Sequence, residues 1–122
     1  MTRTHAMLAA IALAHTSPSP AQDRSYSMLT GNDVYSVCTN RDATDRTMCL
    51  SWVAGFIAGV ATVQAFGQRR TVCLPGGMSN GQYLDIIVTF MDDYPGRRRY
   101  EAGIVALDAL YRAFPCRRRT PN

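Results

Sequence analysis

The hydrophobic pattern is dominated by one uncharged stretch. Residues 47–68, between Arg46 and Arg69, contain no Asp, Glu, Lys or Arg. At 22 residues the stretch is long enough to cross a bilayer, and Gly55 with Gly59 forms a G-x-x-x-G pair. Against a membrane span stand Ser51, Thr62, Gln64, several small residues, and Cys49, which would pair outside a bilayer. A helix buried on all sides of a small bundle is equally apolar all round. The expectation is therefore a buried central helix, with glycines that admit close neighbours and no membrane insertion.

Polar punctuation places the other elements around it. Thr30-Gly31-Asn32-Asp33 has the spacing of a capping box and opens a short helix through Cys38, with Val34, Val37 and Cys38 on one side. Residues 39–44 read as a polar turn, with Thr44 able to cap the central helix. Gly67 suits the end of that helix, with Arg69 and Arg70 near its negative pole. Thr71 to Asn80 reads as a loop, and Ser79 with Gln82 forms a second capping box. Tyr83, Ile87, Phe90, Met91 and Tyr94 then recur at steps of three and four. Pro95-Gly96 breaks this third helix, and Arg97 to Arg99 lead into a fourth. Ile104, Leu107, Tyr111 and Phe114 form the fourth helix's stripe, which Pro115 stops. Arg117 to Asn122 read as a frayed tail, residues 22–29 as an extended lead-in. No strand alternation stands out, so the expected fold is all-α, a compact bundle of about four helices.

The N-terminus changes the chemical setting. Arg3, the apolar run Met7 to Ala14, and the small residues Ser19-Pro20-Ala21 have the layout of a secretory signal peptide over residues 1–21. Its apolar run is too short to span a bilayer. Removing it leaves one helical domain, residues 22–122, of a size that is marginal without reinforcement. Cys38, Cys49, Cys73 and Cys116 all lie in that part, and an even count in an exported chain reads as two disulfides. Zinc is the rival, but no two cysteines stand two to four residues apart. Chain order suggests Cys38–Cys49 and Cys73–Cys116, although four cysteines allow three pairings.

Charge and missing residue types narrow the function. All 13 basic residues are arginine, and without Arg3 the balance against nine acids is about +3. That excess is too small to argue for nucleic acid. The only histidines, His5 and His15, fall in the signal peptide, and there is no lysine. The remaining chain lacks the parts of a Ser-His-Asp or Cys-His pair, of a histidine-ligated zinc and of a Schiff base. Oxidised cysteines leave no thiolate. Asp92-Asp93 point apart on a helix; distant acids such as Asp85 and Asp108 could face each other as in a glycosidase, but nothing marks them out. The expectation is no enzyme, no cofactor and no metal.

The order Cys38…Cys49-Leu50-Ser51-Trp52-Val53-Ala54-Gly55-Phe56, Cys73-Leu74-Pro75-x-Gly77-x-Ser79-x-x-Gln82, Tyr94-Pro95 and Ala113-Phe114-Pro115-Cys116 resembles the Rap/Tai family of immunity proteins from bacterial type VI secretion systems. The resemblance runs from about Gly31 to Cys116. It implies a periplasmic, all-helical, disulfide-bonded and often dimeric protein that binds and blocks a peptidoglycan amidase effector. The chain departs from the family at the end of the third helix, where a His-Pro-Glu-Arg type segment is common and Tyr94-Pro95-Gly96-Arg97 stands here. A periplasmic structural or stress protein on the same scaffold, with no toxin partner, is the alternative.

Two segments are candidates for binding a protein. The first is the loop Pro75, Gly76, Gly77, Met78, Ser79, Asn80, whose base a disulfide at Cys73 would hold and whose glycines allow an unusual path. The second is Arg97, Arg98 and Arg99 with Tyr94 and Tyr100, since arginine and tyrosine are enriched at binding hot spots. A plain connecting loop and a solvated basic turn are the corresponding bland readings. Trp52 is expected in the core, Asp92 and Asp93 at the surface. A homodimer would bury apolar helix faces that so small a core leaves over.

Overall fold

The computed structural model describes residues 29–67 and 70–117. The expected signal peptide, nearly all of the lead-in, Arg69 and the end of the C-terminal tail lie outside the described residues. Among these residues are four α-helices and a 3-10 turn: α1 (Gly31–Thr39), α2 (Ala43–Phe66), α3 (Asn80–Asp93), the turn (Pro95–Arg99) and α4 (Ala102–Ala113). The all-α expectation holds, and the disulfides pair as Cys38–Cys49 and Cys73–Cys116.

Both capping boxes form. Asp33 N–H donates to Thr30 Oγ1 while Thr30 N–H donates back to Asp33 Oδ2 at 2.8 Å. Ser79 and Gln82 do the same at the start of α3. The cap of α2 differs from expectation. Asp42, not Thr44, accepts from the backbone N–H groups of Thr44 and Asp45, so the helix begins at Ala43 and the polar turn shrinks to Asn40–Asp42. An aspartate here also carries the negative charge that a helix N-terminus favours.

The core gathers Val34 of α1, Cys49 and Val53 of α2, Ile87, Phe90 and Met91 of α3, and Val105, Ala106, Ala109 and Leu110 of α4. Burying a side chain such as Ile87 or Leu110 contributes about 1.5–3 kcal/mol. On α3, Tyr83, Ile87, Phe90 and Met91 face inward as the pattern predicts, joined by Leu84, while Tyr94 is the exposed C-cap.

Of the stripe expected on α4 and its end, Phe114 packs against the core, edge-on to Tyr83, but the three helical positions are on the wrong face. Ile104, Leu107 and Tyr111 are exposed, and Ala102, Val105, Ala106, Ala109 and Leu110 are buried. The reason is fit: α3 presents bulky Ile87, Phe90 and Met91, and a facing helix rich in alanine can approach it closely without overpacking.

The expected all-round burial of α2 is likewise overturned. Only Cys49 and Val53 are fully buried, while Val63 is 72% and Phe66 89% exposed. Length explains it. At 1.5 Å per residue α2 is about 36 Å long, and its nine-residue neighbour α1 only about 14 Å. By length and composition α2 could cross a membrane, but it packs on α1 and α3 and its Leu50, Trp52, Phe56 and Ile57 lie against the core.

Two backbone stitches fix the ends of α4. Gly31 N–H donates to Tyr100 C=O at 2.8 Å and Ala102 N–H to Leu29 C=O at 2.7 Å, joining the start of α1 to the start of α4. At the other end Cys73 N–H donates to Phe114 C=O at 2.9 Å, beside the Cys73–Cys116 bridge and the buried Val72. Gln64, near the end of α2, accepts from Val72 N–H and so ties α2 to this second stitch.

Candidate functional site

The two candidate segments lie at opposite ends of α3, separated by its 14 residues, about 21 Å. The structure does not merge them into one cluster. A shallow groove between α3 and α4, lined by Asp85, Ile86, Phe90, Asp93, Tyr94 and Arg112 among others, runs along the side of α3 between them.

The loop before α3 is exposed at Pro75, Gly76, Gly77, Ser79 and Asn80, while Met78 packs partly against the core. Gly77 has φ +82°, a conformation that a side chain would strain. Tyr83 Oη donates to Pro75 C=O at 3.2 Å, and Ser79 caps α3. The loop is thus held at Cys73, at Pro75 and at Ser79, so its shape is set before any partner arrives.

The second segment is built by Pro95, whose fixed φ suits the first position of the 3-10 turn. The three following arginines have different fates. Arg98 turns inward: its Nε donates to Met91 C=O at 2.7 Å, its guanidinium lies 3.6 Å from the Tyr35 ring centroid, and it reaches Asp92 Oδ1 at 3.3 Å. Tyr35 Oη donates to the same Asp92 oxygen at 2.5 Å. That hydrogen bond raises the Tyr35 hydroxyl above its ordinary pKa, with a smaller contribution from burial. Asp92 therefore receives two internal partners, which the sequence reading as a plain surface charge missed.

Arg97 is half-buried and pairs with Asp108 Oδ2 at 2.7 Å; Asp108 also takes Arg112 Nε at 3.3 Å. Arg112 in turn covers the rings of Phe90 and Tyr94, 5.4 and 5.0 Å from their centroids. Arg99 is exposed and donates to Tyr100 Oη at 3.1 Å, which lowers the Tyr100 pKa. The result is a rim of exposed Tyr94, Arg99, Tyr100 and Arg112 with the half-buried Arg97, over a turn anchored by Arg98. Arginine planes stacked on tyrosine rings form a surface whose side chains are already ordered.

Sequence reasoning placed Tyr94 and Tyr100 with the three arginines but missed Arg112, and missed Asp108, which holds both Arg97 and Arg112. The Asp108–Arg112 spacing of four residues on a helix was the available signal. Asp108 is committed to two arginines and does not line the α3–α4 groove with Asp85, so the two acids are not brought together there. Trp52 is partly buried and stacks on Phe56, with ring centroids 5.5 Å apart.

Comparison with curated proteins and with solved structures found no match. The family model of the Rap1a immunity proteins matches residues 30–116, from the N-cap of α1 to the last cysteine, and the chain belongs to that family.

Proposed function

We infer that this chain is a periplasmic immunity protein that binds and blocks a type VI secretion peptidoglycan amidase effector, working by surface fit rather than catalysis. The match to an immunity family over residues 30–116 carries this reading. Two disulfides suit an oxidising compartment such as the periplasm, and an amidase acting on peptidoglycan would have to be met there. In this reading residues 1–21 are removed on export and residues 22–122 act as one domain. The protein works as a homodimer, without nucleic acid, cofactor or membrane insertion.

The effector-binding residues are Tyr94, Arg97 and Arg99, with Arg98 holding the turn beneath them, and the loop Pro75, Gly76, Gly77, Met78, Ser79 and Asn80. Pre-ordered loops and arginine–tyrosine pairs lose little freedom on docking, which favours tight association. The test is protection in cells. An amidase effector from the same bacterium is directed to the periplasm of a sensitive host, with and without this chain. Survival that depends on the chain, and on its export, is expected. Lysis in both cases for every amidase effector that the bacterium secretes would overturn the reading in favour of a scaffold without a toxin partner.

A further inference from the structure

The arginines around the 3-10 turn differ in what neutralises them. Arg98 is taken by Asp92 and by Met91 C=O, while Arg97 and Arg112 share Asp108. Arg99 is exposed and, among the described residues, has no carboxylate within ion-pair distance. Its side chain donates instead to the Tyr100 hydroxyl. Glu101, the next acid along the chain, pairs with none of the four among the described residues.

The turn sets up this arrangement. At three residues per turn, Arg97 and Tyr100 fall on one side of a 3-10 helix, and Tyr100 N–H donates to Arg97 C=O at 3.1 Å. Arg97, tied to Asp108, lies 5.2 Å from the centroid of the Tyr100 ring, and Arg99 lies 5.1 Å from it. The ring is thus fixed by its own backbone and by two guanidinium groups.

The chemistry left over is that of a donor pair. Tyr100 Oη accepts from Arg99 and keeps its own proton to donate, and the guanidinium has further N–H groups unused. An N–H and an O–H side by side suit the two oxygens of one carboxylate, whereas a cationic group would be repelled. Arg99 also lowers the Tyr100 pKa, which makes the hydroxyl a stronger donor. In open water an arginine–carboxylate pair contributes little, so a small free acid would not stay. The pair gains strength where surrounding contacts exclude water, and Tyr94 and Tyr100, 44% and 42% exposed, supply that surface to a macromolecule.

We propose that Arg99 and Tyr100 form a seat for one Asp or Glu side chain on the surface of the effector, with Arg97 and Asp108 positioning the ring. This names the partner chemistry of the rim and rests on the reading of the chain as a blocker of an effector.

The test is the dissociation constant between the disulfide-bonded protein and the amidase effector of the same secretion system. It is measured for the wild type, Arg99→Ala, Arg99→Glu and Tyr100→Phe, with Arg46→Ala, an exposed arginine in the first turn of α2, as the control for net charge. Arg99→Ala is expected to weaken binding about 10- to 100-fold, Arg99→Glu further, and Tyr100→Phe about fivefold, with Arg46→Ala within about twofold of the wild type. One acid-to-arginine substitution on the effector should restore binding to Arg99→Glu while weakening it to the wild type. Failure of every surface acid of the effector to do so would overturn the carboxylate partner. Equal affinity of Arg99→Ala and the wild type, or equal losses in Arg99→Ala and Arg46→Ala, would overturn the seat and leave effector blocking in place. A wild-type protein that does not bind the effector at all would overturn that reading and the seat with it. Pelleting with purified peptidoglycan sacculi that Arg99→Glu abolishes, at unchanged effector affinity, would assign the seat to the carboxylates of the wall peptides and overturn the proposal.

Discussion

The Arg98 guanidinium stacks 3.6 Å from the centroid of the Tyr35 ring, joining the turn after α3 to the middle of α1. The same guanidinium donates to Met91 C=O, so one side chain clamps three elements. A stacked cation contributes about 0.5–2 kcal/mol and a charged hydrogen bond about 1.5–3 kcal/mol. Arg98→Ala is expected to destabilise the fold by about 2–4 kcal/mol in urea unfolding. Arg98→Lys should recover less than half of that, because an ammonium cannot stack and bridge at once. An unchanged midpoint for the alanine variant would show that the clamp contributes nothing.

Gly31 separates two rules that predict opposite signs. Alanine in a helix is ordinarily favoured over glycine by about 1 kcal/mol. Here an added Cβ would stand 2.9 Å from Arg98 Cα and 2.9 Å from its carbonyl oxygen, both backbone atoms with little freedom to move. The overlap should win, and Gly31→Ala is expected to cost about 1–3 kcal/mol. Calorimetric melting checks the sign: a raised midpoint would mean that the turn moves aside freely.

The disulfides should differ in weight. Closing 11 residues through Cys38–Cys49 contributes about 3 kcal/mol, and closing 43 through Cys73–Cys116 about 4 kcal/mol. Replacing either pair by serine lowers stability by a few kcal/mol, the Cys73/Cys116 pair more. Thermal unfolding with and without reductant provides the check, and equal melting curves would contradict it.

Acid should loosen the start of α1. Asp33 is held below the ordinary carboxylate range, first by its hydrogen bond from the Thr30 hydroxyl and then by that from the Thr30 N–H. Because the folded pKa is depressed, this contribution is complete above the ordinary aspartate range, about pH 4. It is lost as pH falls through the lower folded value. Asp33→Asn should flatten the acid limb of a stability–pH curve, and identical limbs would contradict the assignment.

Local rules were legible in the sequence and orientation was not. The boxes at Thr30/Asp33 and Ser79/Gln82 need only residues three apart, so composition and spacing suffice. The inward face of α3 was legible because its bulky residues recur on one side. On α4 two apolar faces compete, and the choice of the alanine-rich one depends on how large α3's residues are. The uncharged part of α2, Thr47 to Phe66, has no charged side to show which way it faces. Among Arg97, Arg98 and Arg99 only the path of the 3-10 turn decides that Arg98 points inward.

Titration calorimetry of the disulfide-bonded protein against the amidase effector of the same secretion system is the most direct test of toxin blocking, with peptidoglycan hydrolysis followed on the same mixtures. One effector bound per protomer is expected, with a nanomolar Kd, loss of hydrolysis at the same equivalence point, and binding at least tenfold weaker after Arg97→Ala. Hydrolysis that continues undiminished in saturating protein, with no heat of binding, would contradict the account.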